Sequence, residues 1–197
     1  MPADVRLRAL RGAPPLPFDA GLDVFRAPDR QEAAIARLAR DPAAFVWVVE
    51  QGDATIGYLS VQPPDPVERW GALRRAPGGD AVYEIGAIEV APRARGAGHG
   101  SALLDTAFGG GRFDDALVLA VLYAWHYDLA RRGLGALQVR RALQRFYARV
   151  GFEARTTRDP DITEDPANAL LVRVGSRAPA GLVAAFEALR TQPAGGP

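Results

Sequence analysis

The sequence predicts a mixed α/β fold, a central sheet flanked by helices. Three observations carry that prediction. Short strand-like apolar runs alternate with stretches of helical period along the 197 residues. One such run, 82–90, feeds a glycine-rich loop that opens into a helical pattern. Hydrophobic residues make up 48% of the chain, enough to fill the core of one domain.

The elements follow in order. Residues 5–10 alternate apolar and arginine positions, the period of a first strand, and the proline-rich 12–17 stretch ends it. Residues 29–40 read as a helix, with Asp29 as cap, Glu32 three residues on, and Ile35, Ala36 and Leu38 following. Asp41-Pro42 stops it. Strands over 45–49 and 56–61 are joined by Gln51-Gly52-Asp53, a hairpin signal. Residues 63–80 form a long insertion before the strand at 82–90. A helix over 101–108 is closed by Gly109-Gly110-Gly111, and 117–123 is the next strand. Residues 137–150 place Val139, Leu143, Phe146 and Val150 on one helical stripe. Residues 152–155 and 170–174 complete the sheet, and 180–189 is a terminal helix. A single domain over 1–190 is expected, with 191–197 as a flexible tail.

Composition excludes several functions. A net charge of +1 points to neither nucleic acid nor a membrane surface. No apolar run reaches the length of a membrane span, and Met1-Pro2-Ala3-Asp4 does not begin a signal peptide, so a cytoplasmic location is expected. The absence of cysteine removes disulfides, thiol nucleophiles and zinc–thiolate sites, and no metal is expected. All 24 basic residues are arginine, so the chain has no lysine of its own to modify.

The stretch Ile85-Gly86-Ala87-Ile88-Glu89-Val90-Ala91-Pro92-Arg93-Ala94-Arg95-Gly96-Ala97-Gly98-His99-Gly100-Ser101 is the most informative. A strand entering a glycine turn and then a helix makes an anion site, because first-turn N–H groups and the helix dipole face the ligand. Glycine lets a phosphate approach the backbone. The glycines fall as G-x-G-x-G, which fails the dinucleotide fingerprint, and without lysine there is no P-loop. What remains is R-x-x-G-x-G, read as Arg95, Gly98 and Gly100, followed later by Phe146-Tyr147-Ala148-Arg149-Val150-Gly151-Phe152.

Together these two segments resemble the pyrophosphate loop and closing segment of the GCN5-related N-acetyltransferases (GNAT). That resemblance implies the GNAT fold and acetyl-CoA as cosubstrate. It places the cofactor on Ile88, Val90, Arg95, Gly96, Ala97, Gly98, His99, Gly100 and Ser101. Further strings narrow it. Asp65-Pro66-Val67-Glu68-Arg69-Trp70, Trp125-His126-Tyr127-Asp128-Leu129, Asp159-Pro160-Asp161-Ile162 and Asp165-Pro166-Ala167-Asn168 resemble the acetoin utilisation acetyltransferases. Members of that branch are protein lysine acetyltransferases, which implies a protein partner, acetyl-CoA synthetase being the first candidate. Tyr127 stands where that branch leads one to expect tryptophan, and Phe146-Tyr147 follows the wider superfamily better. A small amine or aminoglycoside acceptor, and a non-catalytic acetyl-CoA sensor, are the alternatives. A dimer is left open.

Acetyl transfer to an amine needs a neutral amine, and at pH 7 only about 1 lysine in 2,500 is neutral. Glu84, eleven residues before Arg95, is the first candidate base, at a position where several lysine acetyltransferases of the superfamily carry theirs. Glu89 is the second carboxylate, on the opposite strand face unless a bulge at Gly86 changes the relation. His126, with Asp128 nearby, is a candidate proton relay or a packing residue. Tyr147 matches the family position that serves the departing thiolate, and packing is its other reading. A backbone N–H within 88–90 is the expected oxyanion donor. Arg141, Arg145 and Arg149 read as a solvated helix face or as contacts to a CoA phosphate. In the insertion, Glu68, Arg69 and Trp70 suggest a lid or docking surface, unless Trp70 tucks into the core.

Overall fold

Strand β1 (Val5–Leu10) pairs antiparallel with β2 (Phe45–Gln51), and β2 with β3 (Ala54–Gln62), in a computed structural model that describes residues 4–193. The chain divides into two units, and β4 (Val82–Val90) contributes to both. With β5 at Leu117–Leu122, β6 at Glu153–Arg155 and β7 at Ala169–Val174, the full strand order is β1-β2-β3-β4-β5-β7-β6.

The first unit comprises the chain up to Gln62 together with Ile85–Gly110. Its hairpin is tighter than the sequence suggests. Gln51 pairs with Ala54 across Gly52-Asp53, so both strands run further than expected. Gly52 takes φ 64°, where a side chain would be strained. Helix α1 (Pro28–Leu38) packs on β2 and β3 and buries Ile35. It starts one residue before the predicted cap. Pro28 sits in its first turn with φ already set, Ala27 is the N-cap, and Asp29 makes no cap. Glu32 instead accepts the Phe18 amide at 2.9 Å, which fastens the proline-rich segment to the helix. Helix α2 (His99–Phe108) lies on the same two strands and buries Leu103, Leu104 and Ala107.

The second unit comprises Pro63–Glu84 and the chain from Gly111 onward. The first three residues of β4 pair in parallel with β5 (Leu117–Leu122), placing Glu84 opposite Leu119. Two short helices that the sequence pattern did not reveal, α3 (Leu129–Arg132) and α5 (Pro160–Thr163), flank α4 (Ala136–Ala148) and β6 (Glu153–Arg155). Four residues are too few to show a 3.6-residue period. Strand β7 (Ala169–Val174) pairs antiparallel with β5 and with β6, and α6 (Ala180–Thr191) closes the unit. The predicted tail therefore begins inside α6, and residues 194–197 lie outside the described residues.

The insertion is not an open loop. Arg69–Arg75 and Gly79–Ala81 form 3-10 turns, and Trp70 and Leu73 join the core with Val82, Leu117 and Phe186. Gly71 makes this possible, because a Cβ there would stand 2.0 Å from the Asp65 carbonyl oxygen. No helix among the described residues is long and apolar enough to cross a membrane.

Candidate functional site

In the first unit, β4 leads into a glycine turn and then α2. Gly96 and Gly98 take φ 85° and 82°, values that L side chains rarely adopt, and a Cβ on either would meet nothing within 4 Å. Gly98 is the N-cap of α2, which begins at His99, two residues before its expected start. The first α-helical bond of α2 runs from the Ala102 amide to the Gly98 carbonyl at 2.9 Å. The amides of His99, Gly100 and Ser101 precede it in the first turn, outside the intrahelical ladder. Arg95 turns back, its Nε donating to the Val90 carbonyl at 3.0 Å, and so closes the loop onto the end of β4. Local geometry thus supplies the strand, the left-handed glycines and the helix start that a pyrophosphate requires.

Glu89 belongs to the structure of this unit. It is buried, accepting the Val24 amide at 3.0 Å and the Tyr58 hydroxyl at 2.9 Å. Burial pushes its carboxyl above the usual carboxylate range, against these two donors, which favour the ionised form. Both oxygens are engaged, in bonds that join Val24 and Tyr58 to β4. Tyr58, which carries no sequence signal for this role, is fully buried, its ring 5.3 Å from that of Phe18 and tilted by 32°.

The remaining candidates lie in the second unit. Glu84 is half-buried in β4, paired through its backbone to β5. Beyond β5, Ala124–His126 form a 3-10 turn. His126 is half-buried and meets Tyr123 and Trp125 edge-on, at 6.4 and 5.9 Å. Desolvation lowers its pKa below the ordinary histidine value, which favours the neutral ring a base or relay needs. Asp128 has φ 52° and lies 3.7 Å from Arg131, as the first residue ahead of α3. Tyr127 is buried, its hydroxyl donating to the Ala167 carbonyl at 2.6 Å.

Tyr147 and Trp70 are core residues. Tyr147 is 4% exposed, edge-on to Phe146 and Phe152, and burial raises its pKa. Trp70 is likewise 4% exposed, with its ring 5.8 Å from Phe186 and from the Arg69 guanidinium. The expectation of a docking anchor there is corrected, since an indole inside the core has no face to offer. Its neighbour Glu68 is exposed. Arg141, Arg145 and Arg149 are exposed along α4 and its end, as a solvated face would be. Among the described residues no group of three or more histidines and carboxylates is placed to hold a metal.

A model of the acetyltransferase (GNAT) domain matches residues 42–154. The acetoin utilization protein AcuA of Bacillus subtilis is 30% identical over 173 residues, 88% of this chain and 80% of that protein. The protein of the same name from Bacillus licheniformis is 28% identical over the same length. The crystal structure of an acetoin utilization protein from Exiguobacterium sibiricum superposes with a TM-score of 0.85 at 30% identity, covering 97% of this chain and 96% of that one.

Proposed function

Because the chain belongs to the acetyltransferase (GNAT) family and is an acetyl-CoA-dependent N-acetyltransferase, we propose that it acetylates a lysine amine on a protein in the cytoplasm, with acetyl-CoA synthetase the first candidate acceptor. The observation that carries this reading is the match to acetoin utilization proteins, which spans 88% of the chain in sequence and 97% in structure. Acetyl-CoA supplies a thioester acetyl donor. The residues of the glycine turn fit it. Gly96 and Gly98 leave the backbone open, and the first turn of α2 directs amides at an anion. The roles proposed for this chain are these. Amides of 98–101 bind the pyrophosphate, and Arg95 keeps the loop closed by its bond to Val90. Ile88 and Val90 offer β4 backbone to the pantetheine arm. Glu84 takes the proton from the acceptor amine, a step that contributes typically 10²–10⁴-fold. His126, whose pKa desolvation lowers, is the second candidate for that proton.

The test is transfer from labelled acetyl-CoA to purified acetyl-CoA synthetase and to a panel of small amines, read by mass spectrometry. Since this chain has no lysine, every acetyl-lysine detected belongs to the acceptor. Acetylation of the synthetase is expected. Fast transfer to a small amine with none to the synthetase would discard the protein acceptor.

A further inference from the structure

Trp125 is the large aromatic that the fold leaves outside. It is 64% exposed, while Tyr123 and Tyr127 on either side are half-buried and buried. Its exposure is not the looseness of a free loop. The His126 amide bonds the Tyr123 carbonyl at 3.0 Å, and the Tyr127 amide bonds the Ala124 carbonyl at 3.1 Å. The Ala124 amide donates to Asn168 Oδ1 at 2.8 Å, and Asn168 Nδ2 donates to the Asp161 carbonyl at 3.0 Å. Asn168 is buried and is the only asparagine in the chain. One side chain thus ties the aromatic turn to the acidic helix α5. The indole lies flat on Tyr123, centroids 4.2 Å apart and planes 13° from parallel, so a large aromatic face is ordered in advance.

Carboxylates act on the phenol beneath that face. Asp159, Asp161, Glu68 and Glu84 all act on the Tyr123 phenol, whose pKa, raised first by burial and then by these four carboxylates, is pushed up to about 12. Arg69, 3.9 Å from Asp159 and donating through Nη2 to the Leu189 and Gln192 carbonyls, offsets the charge of that buried carboxylate and leaves Glu68, Glu84 and Asp161. A preformed aromatic face in a negative field attracts cations, and tryptophan is the strongest partner for them. Tryptophan and tyrosine also dominate the residues that carry binding energy in protein interfaces.

We propose that the Tyr123–Trp125 stack, with the carboxylates of Glu68, Glu84 and Asp161 around it, is the docking platform for a positively charged segment of the acceptor protein. The proposal rests on the protein-acceptor reading and adds to it the chemistry of the segment: arginines or lysines flanking the acetylated lysine. The aromatic face takes a cationic head, and the carboxylates draw it in over a range set by ionic strength.

The experiment uses the full chain and two lysine peptides of equal length, one flanked by arginines and the other by glutamines. Calorimetry gives each peptide's Kd, mass spectrometry gives KM and kcat for acetyl transfer, and a separate titration gives the CoA affinity. The arginine-flanked peptide is expected to bind about two- to fivefold more tightly, the factor corresponding to a cation–π contact at an exposed site. Added salt should narrow that preference. Trp125→Ala, at an exposed position, should remove most of the preference through KM, Trp125→Phe should retain much of it, and CoA affinity should stay constant. Glu68→Gln should weaken the salt dependence. Equal binding of the two peptides, or a preference unchanged in Trp125→Ala, would overturn the platform. Binding of the arginine peptide without transfer would keep the platform and discard the lysine acceptor. Transfer to the synthetase with no preference for the arginine peptide would do the reverse.

Discussion

Tyr58→Phe deletes one hydroxyl from the interior of the first unit, and the structure fixes what that deletion does. Tyr58 is fully buried, and its hydroxyl donates to Glu89 Oε2 at 2.9 Å. The other oxygen keeps the Val24 amide at 3.0 Å. A hydrogen bond to a charged group contributes about 1.5–3 kcal/mol, so a loss of about 2 kcal/mol is expected where Glu89 is ionised. The pH dependence follows from the direction of the Glu89 shift. Burial raises its folded pKa above the reference of 4.5, so the folded state binds that proton more tightly than the unfolded state does. The contribution of this group to stability is therefore most favourable at or below the reference pKa and falls as pH rises through the folded value. Removing a donor that favours the carboxylate raises the folded pKa further. The variant must then lose more stability at high pH than at low pH. Urea unfolding of both proteins at about pH 5 and about pH 8 measures this. An equal loss at the two pH values, or no loss at either, would refute the assignment of the Tyr58–Glu89 bond as a support of that carboxylate, beside the Val24 amide.

Gly98→Val places a branched side chain where φ is 82°, at a cost of about 1–2 kcal/mol, and directs it into the open space before α2; calorimetry on the folded variant should show CoA binding lost. Glu84→Gln should keep CoA affinity and lower turnover by roughly two orders of magnitude, whereas a normal rate in that variant with the loss appearing in His126→Ala would move the base to the histidine. Trp70→Ala should lower stability by about 3–5 kcal/mol, as core aromatic truncations do; a variant of unchanged stability with weakened acceptor binding would return Trp70 to the surface.

The fold was legible wherever a segment carried its own period. β1 and β4 have their expected bounds, and the other strands differ at their ends by no more than two residues. The shifts have local causes. Pro28 starts α1 because it suits the first turn, so Asp29 is already inside. Gly98 starts α2 because it accepts a left-handed φ, a fact invisible in a pattern that counts apolar residues only from Ala102. The glycine turn was legible for the same reason: strand, turn and helix are contiguous, and each leaves its mark in the chain.

Residues whose role depends on a distant partner were not legible. Glu89 reads as a strand carboxylate, and only Tyr58 and Val24, 31 and 65 residues away, turn it into a buried acceptor. Trp70 lies in Asp65-Pro66-Val67-Glu68-Arg69-Trp70, a composition typical of an exposed loop. It is drawn inward by Gly71 against Asp65 and by α6, where Arg69 reaches the Leu189 carbonyl across 120 residues. Trp125 has the opposite setting. It follows an apolar strand, where burial is the default, yet the turn fixed by Asn168 leaves its indole outside on Tyr123. The insertion and the aromatic turn each depend on a contact with a later element, Trp70 with Phe186 of α6 and Ala124 with Asn168 beside β7. Such contacts leave no periodic trace, so the aromatic available to an acceptor could be chosen only once those later elements had been placed against the turns they hold.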